Sequence, residues 1–341
     1  MVLAAGLGTR LRPLTDALPK PAVPVLGLPL VRYALARLAA AGARRAVVNV
    51  HHLAAAMARV AGDAAAAAGI ELAVSEEVVI AGTGGALREA RRLLEGAEAI
   101  VLWNGDVLFD LDLRPVVEAH RRSGALATMV LQPMPPGASY AAVEVDPGLA
   151  VRRIAGIGPG GHGLSPLHFT GVHVLSPQVL EAVPAAPFAC DINRTVYPPL
   201  LAHGGVRGAV TGGYWSDLGT PARYLEANLD LLAGRAGALR LARADPLAGL
   251  ETLAPGVLVA PDARVDAAAT LAPPVLVGRG AEVAAGAAVG PAAVLGAGCR
   301  VAAGAEVRRA VVWEGTAVGP GERVVDAVAA GALRVPAASR G

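Results

Sequence analysis

The sequence predicts an α/β fold, a doubly wound and mostly parallel sheet, followed by a C-terminal parallel β-helix of triangular section. Two observations carry this. Over the first 234 residues short apolar strands alternate with amphipathic helices, and from Leu253 an aliphatic residue returns at every sixth position. Alternation of the first kind builds a sheet with helices on both faces. A period of six fits neither a helix nor a pleated strand; it fits a coil with three faces per turn. The boundaries read as 1–234 for the α/β domain, 235–252 for a linker, 253–325 for the coil and 326–341 for a tail.

The elements follow in order. A short strand, Leu3-Ala4-Ala5, starts the chain; so brief a first strand leaves two readings, a start that lies upstream of Met1 or a weak edge of the sheet. Pro29 to Ala41 is predicted helical, with Val31, Leu35 and Leu38 on one stripe and Gly42 just past its end. Ala46 to Val50 is a β-branched run suited to a buried parallel strand. Ala54 to Ala67 is a second helix, Ile70 to Val74 a strand, Gly85 to Leu94 a helix and Ala99 to Leu102 a strand. Asp112 can cap a helix ending near Gly124, and Ala127 to Leu131 returns as a strand. A helix from Pro221 to Gly234 closes the domain. The six-residue positions are Leu253, Val259, Val265, Leu271, Val277, Val283, Val289, Leu295, Val301 and Val307. After a slip of one the series resumes at Val312, Val318 and Val324.

The turn after the first strand carries the chemistry. From Leu3 the chain reads LAAGLGTRLRPLTDALPKPAVPV. Gly6 and Gly8 let backbone N–H groups converge on an anion, Arg10 and Arg12 follow, and Lys20 is stiffened between Pro19 and Pro21. N–H donors, a guanidinium and a positioned ammonium make a polyphosphate site. Neither common alternative fits: no Lys-Ser or Lys-Thr follows the glycines, and Leu11 stands where GxGxxG needs its third glycine. A plain glycine turn with surface arginines is the bland reading of the same residues.

This stretch resembles the signature of the sugar-1-phosphate nucleotidyltransferases, LAAGxGTRLxPLT…PKPxxPV, and the coil resembles the left-handed β-helix of hexapeptide-repeat proteins. The resemblance implies a Rossmann-like sheet of GT-A type. It implies an NTP and a sugar 1-phosphate as substrates, with Leu3, Ala4, Ala5, Gly6, Gly8, Thr9, Arg10 and Lys20 on the nucleotide. Gly82-Thr83-Gly84 opens a helix and corresponds to the family's GTxG segment beside the nucleobase. Asn104-Gly105-Asp106 ends a strand, and Trp215-Ser216-Asp217 leads into Leu218-Gly219-Thr220-Pro221. Phosphoryl chemistry of this class uses Mg²⁺ with one or two carboxylates, and the resemblance assigns those to Asp106 and Asp217. Asp217 would otherwise be a turn residue before a helix capped by Thr220. Catalysis then rests on Arg10, Lys20 and Asp106.

Tyr140 to Asp146 resembles the family's YGxVxxD strand, and Phe169 to Leu175 its later strand, which points to Tyr140, Thr170 and Gly171 on the sugar. Ala141 replaces a glycine, and Pro166, Leu167 and His168 stand where the family often has Glu or Lys. Sugar and base therefore stay open. A mannose-1-phosphate guanylyltransferase-like activity is expected, with uridylyl or thymidylyl transfer, or a non-catalytic nucleotide-sugar-binding role, as alternatives. An acyltransferase coil is not expected, because no histidine follows His203 to serve as base.

Composition bounds the rest. The 341 residues are 54% hydrophobic and 17% charged, and the net charge of +2 is too small to argue for nucleic acid. No apolar run is long enough to span a membrane. Cys190 and Cys299 are too few for a disulfide framework, so a cytoplasmic protein is expected. The seven histidines are scattered and read as structural or solvated. The rigid coil suits self-association.

Overall fold

The computed structural model describes residues 1–137, 140–185 and 189–337. The chain divides into two compact units interleaved along the sequence. One holds Met1–Gly6, Ala34–Val107 and Leu111–Trp215; the other holds Leu7–Tyr33, Leu108–Asp110 and the chain from Ser216 onward.

The first unit is an α/β sheet. Val2–Leu3, Arg45–Val50, Glu71–Glu76 and Ile100–Asn104 run parallel, with the order 100–104, 2–3, 45–50, 71–76. The short first strand is thus central and not an edge, because both neighbours pair with it: Val2 lies opposite Val48 on one side and Trp103 on the other. Beyond Ile100–Asn104 the sheet turns antiparallel. Ser165–Leu175 pairs with it and also with Ala127–Pro133 and Ala142–Val145. Val206–Val210 extends Ala127–Pro133 in parallel.

The helices Ala54–Ala68 and Leu113–Ser123 start where predicted, whereas the helix expected over Gly85 to Leu94 starts three residues earlier and divides into Gly82–Glu89 and Arg91–Leu94. Asp112 caps Leu113–Ser123 by accepting the Arg114 N–H at 3.1 Å, and Gly124 ends it at φ 65°. Leu87, Leu102, Met129, Leu175 and Tyr197 are buried in one core.

The second unit contains the coil. Val257 pairs in parallel with Val275, Val275 with Ala293, Ala293 with Ala310 and Ala310 with Ala327, so a turn takes 18 residues twice and then 17 twice. The slip after Val307 belongs to the first of these shortened turns. Two further faces begin at Arg264–Val265 and Thr270–Leu271. From Val277 to Val324 the six-residue positions point into a continuous apolar core. Leu253 does not: it lies in Glu251–Ala254, which pairs antiparallel with Val257–Val259 and leaves the side chain 66% exposed. At the far end Leu333–Pro336 pairs antiparallel with Arg323–Ala330.

Close stacking of turns needs glycine at the corners. A Cβ on Gly296 would lie 2.7 Å from the Glu314 nitrogen. The helix Pro221–Leu232 packs on this coil, with Thr220 as its cap through the Arg223 N–H. Residues 338–341 of the expected tail lie outside the described residues. Cys190 and Cys299 are buried free thiols. Among the described residues no helix is long and apolar enough to cross a membrane.

Candidate active site

The second unit carries Gly8, Thr9, Arg10 and Lys20, while Gly6 ends the first segment of the first unit. Gly8 has φ 63°, and its carbonyl accepts the Leu11 N–H at 3.0 Å and the Thr15 hydroxyl at 2.8 Å. A Cβ there would sit 3.1 Å from Thr15 Cγ2 and 3.2 Å from Lys20 Cβ, so left-handed backbone and close approach both require glycine. Gly6 differs: nothing lies within 4 Å of where its Cβ would be, leaving the turn open on that side. Thr9 and Arg10 are exposed, whereas Lys20 is buried at the start of the turn Lys20–Ala22.

Asp217 sits in the same unit at the end of Trp215–Asp217. Its mostly buried carboxylate is paired with Arg223, a residue not singled out from the sequence. The Cβ position of Gly219 lies 3.3 Å from both Arg10 Nη1 and Asp217 Oδ2. A side chain there would force them apart. Arg10 and Asp217 therefore both border Gly219, with Arg223 paired to the carboxylate, and the guanidinium groups suit anion contact.

The first unit holds the remaining candidates. The Leu3 carbonyl accepts the Gly105 N–H at 2.9 Å, which ties the first strand to Asn104-Gly105-Asp106. The Ala4 N–H donates to Asn49 Oδ1 at 2.8 Å, so it faces the interior and not a ligand; Ala5 is buried beside it. Asn49 Nδ2 donates to Glu77 Oε1 at 2.7 Å, and Glu77 Oε2 accepts the Ala81 N–H at 2.9 Å. Both side chains are buried. This pair links the turn after the first strand to the entrance of the Gly82–Glu89 helix, and sequence reasoning missed it. The available signal was an amide inside the apolar strand Arg45–Val50.

That entrance is built on Cys190. Its carbonyl accepts the Gly84 and Gly85 N–H groups, and its N–H donates to the Ala81 carbonyl at 2.8 Å. The Thr83 hydroxyl accepts the Ile192 N–H at 2.9 Å. A Cβ on Gly82 would lie 2.6 Å from the Cys190 carbonyl oxygen, and one on Gly84 2.7 Å from the sulfur.

Among the residues expected on the sugar, Gly171 has φ 84°, and its Cβ would lie 2.9 Å from Asn104 Nδ2. This is the bulge in Ser165–Leu175, and it lets the strand approach Asn104. Thr170 is fully buried; its hydroxyl donates to the Val130 carbonyl and its carbonyl accepts Trp215 Nε1–H at 2.7 Å. Tyr140 joins a ring cluster with His168 and Trp215, at centroid distances of 4.4 and 5.7 Å. Trp215 was not predicted for this place, and His168 was noted only as one of three residues replacing the family's Glu or Lys. His173 is buried against the Tyr197 hydroxyl at 2.7 Å, and burial holds its pKa down at about 3. Among the described residues no group of three or more His, Cys, Asp or Glu is placed to hold a metal ion.

Comparison with known proteins places this geometry. The nucleotidyl transferase family model matches residues 1–234. A mannose-1-phosphate guanylyltransferase of Mycobacterium tuberculosis is 32% identical over 69% of this chain and 64% of its own length. A UTP–glucose-1-phosphate uridylyltransferase of Synechocystis is 30% identical over 67% of this chain and 61% of its own. The chain thus spans somewhat under two thirds of the length of these relatives. A crystal structure described as a glucose-1-phosphate thymidylyltransferase from Bacillus anthracis shares the fold, with TM-score 0.57 and 21% identity over 67% of this chain and 92% of that one. With more than half of its length matched by that model, the chain belongs to the nucleotidyl transferase family.

Proposed function

We propose that the chain transfers a nucleotidyl group from an NTP to a sugar 1-phosphate, giving an NDP-sugar and pyrophosphate. The observation that carries this reading is the buried Lys20 held against Gly8, within a turn whose exposed Thr9 and Arg10 face solvent. A sugar phosphate oxygen attacks the α-phosphorus in line; the new P–O bond forms as the bond to the pyrophosphate oxygen breaks. No covalent intermediate is required, so positioning and charge stabilisation supply the catalysis. Arg10 and the N–H groups of Gly6, Gly8 and Thr9 bind the β,γ-phosphates, and Lys20 lies on the reacting phosphates. Gly82, Thr83 and Gly84 line the base, and Tyr140 and Gly171 line the sugar.

Asp106 in the first unit and Asp217 in the second are each partly accessible carboxylates, the donor type Mg²⁺ prefers alongside phosphate oxygens, so each is a candidate ligand. When bound, the ion neutralises phosphate charge. Mannose 1-phosphate with GTP is the first pair to test, because relatives of that name recur, and UTP and dTTP pairs come second.

The test is pyrophosphate release from a panel of NTPs and sugar 1-phosphates. Lys20→Ala and Asp106→Ala should each lower kcat by about two orders of magnitude or more with the circular dichroism spectrum unchanged. Near-normal turnover in either variant removes its residue from the mechanism.

A further inference from the structure

We propose that Trp313 of the coil, acting through Tyr224, positions the lysine-bearing turn Lys20–Ala22, which makes the coil a working part of the transfer site. The inference rests on the reading of Lys20 given above. Its physical basis lies wholly within the second unit.

Three consecutive residues just after the lysine turn are held by side chains. The Pro24 carbonyl accepts the Tyr224 hydroxyl, the Val25 carbonyl accepts the Tyr33 hydroxyl at 2.9 Å, and the Leu26 N–H donates to Asn228 Oδ1 at 2.8 Å. Leu26 has φ 44°, a conformation a leucine seldom adopts unless its surroundings impose it. Two of the three anchors, Tyr224 and Asn228, come from the helix Pro221–Leu232, and both are fully buried. Asn228 is itself oriented by donating to the Tyr224 carbonyl at 2.8 Å.

The coil determines which way the tyrosine points. Trp313 Nε1–H reaches the Tyr224 oxygen at 2.8 Å, with the rings edge to face at 6.2 Å. An indole N–H can only donate. The tyrosine oxygen must accept it, which directs the single phenolic proton to the Pro24 carbonyl. Burial pushes the Tyr224 pKa well up, so that proton stays in place. Trp313 cannot drift. Its N–H donates to the Ala329 carbonyl at 2.8 Å, and its own carbonyl accepts the Thr316 N–H at 3.1 Å and the Cys299 thiol at 2.9 Å.

A second tie runs beside the first. Arg309, at a corner of the coil with φ 44°, donates to Asp326 at 2.7 Å and to Glu226 at 2.5 Å. The coil thus grips the helix at Tyr224 and Glu226, and the helix grips the segment that follows Lys20.

The experiment uses the full-length protein. Trp313→Phe keeps the ring and deletes the donor; Tyr224→Phe deletes the hydroxyl and both its bonds. Amide hydrogen exchange in the ligand-free protein should quicken across residues 20–33 in each variant and stay unchanged over 275–301. In turnover assays kcat should fall by about tenfold, the scale of one lost hydrogen bond in the site, with KM for the NTP shifted far less. Wild-type exchange over 20–33 in both variants overturns the relay. Faster exchange with unaltered kcat overturns its role in the reaction. Should the wild-type chain itself release no pyrophosphate with any substrate pair, the transferase reading fails, while the exchange data still decide the mechanical link.

Discussion

Asn49 and Glu77 share a buried hydrogen bond of 2.7 Å, and each uses its remaining capacity on the backbone of a different loop, at Ala4 and at Ala81. One buried amide–carboxylate pair therefore sets where the turn after the first strand and the Gly82–Glu89 helix begin.

Truncating one member should strand the other. Asn49→Ala leaves the Ala4 N–H and Glu77 Oε1 without their present partners in a dry interior, and it should lower the unfolding free energy by about 2–4 kcal/mol. Urea denaturation measures this; a loss below about 0.5 kcal/mol would mean that the pair is solvated in solution.

The two glycines over Cys190 should behave differently. Gly84→Ala meets a sulfur, Gly82→Ala a backbone carbonyl at positive φ. Both variants should lose stability, by about 1–3 kcal/mol. Adding Cys190→Ala should restore part of the Gly84→Ala loss and none of the Gly82→Ala loss. Melting temperatures of the two double variants decide it.

His173 makes stability depend on pH. Its folded pKa is lowered to about 3, so in acid the unfolded chain takes up a proton that the folded chain refuses. The contribution is complete above the ordinary histidine value near 6.5 and is lost as pH falls toward 3, reaching about 3 kcal/mol by pH 4. His120, also lowered by burial, adds in the same direction. His173→Asn should flatten the fall in urea midpoint between pH 7 and pH 4; an unchanged slope would exclude His173 as the source.

Chelation should stop pyrophosphate release and added Mg²⁺ should restore it. Asp217→Asn should raise the Mg²⁺ concentration for half-maximal rate by about tenfold or more. Its ion pair with Arg223 is partly exposed on the arginine side, so the melting temperature should move little.

Much of the architecture was legible because it is written in local periods. Asp112 and Gly124 bracket their helix as read, and the one-residue slip after Val307 appears as a turn of 17 residues. What was hidden depends on pairing across distance. Nothing local to Ser165–Leu175 reveals that it runs antiparallel to three neighbours. Asn49 and Glu77 are 28 residues apart, Trp313 and Tyr224 are 89 apart, and no spacing rule joins them. A weak sheet edge was one of two readings of so short a first strand, and the central position of Val2–Leu3 excludes it. Backbone pairing on both sides rescues even a two-residue strand.

The antiparallel strands at the two ends of the coil bear on self-association. Parallel rungs present a repeating template, and an uncovered last rung invites another chain to continue the stack. Here Glu251–Ala254 closes one end of the longest face and Leu333–Pro336 the other, with Glu251, Arg334 and Pro336 on these short borders. Charge and a missing N–H discourage further strand addition. End-to-end stacking of copies is therefore disfavoured on this face, and scattering at rising concentration should show no lengthening rods.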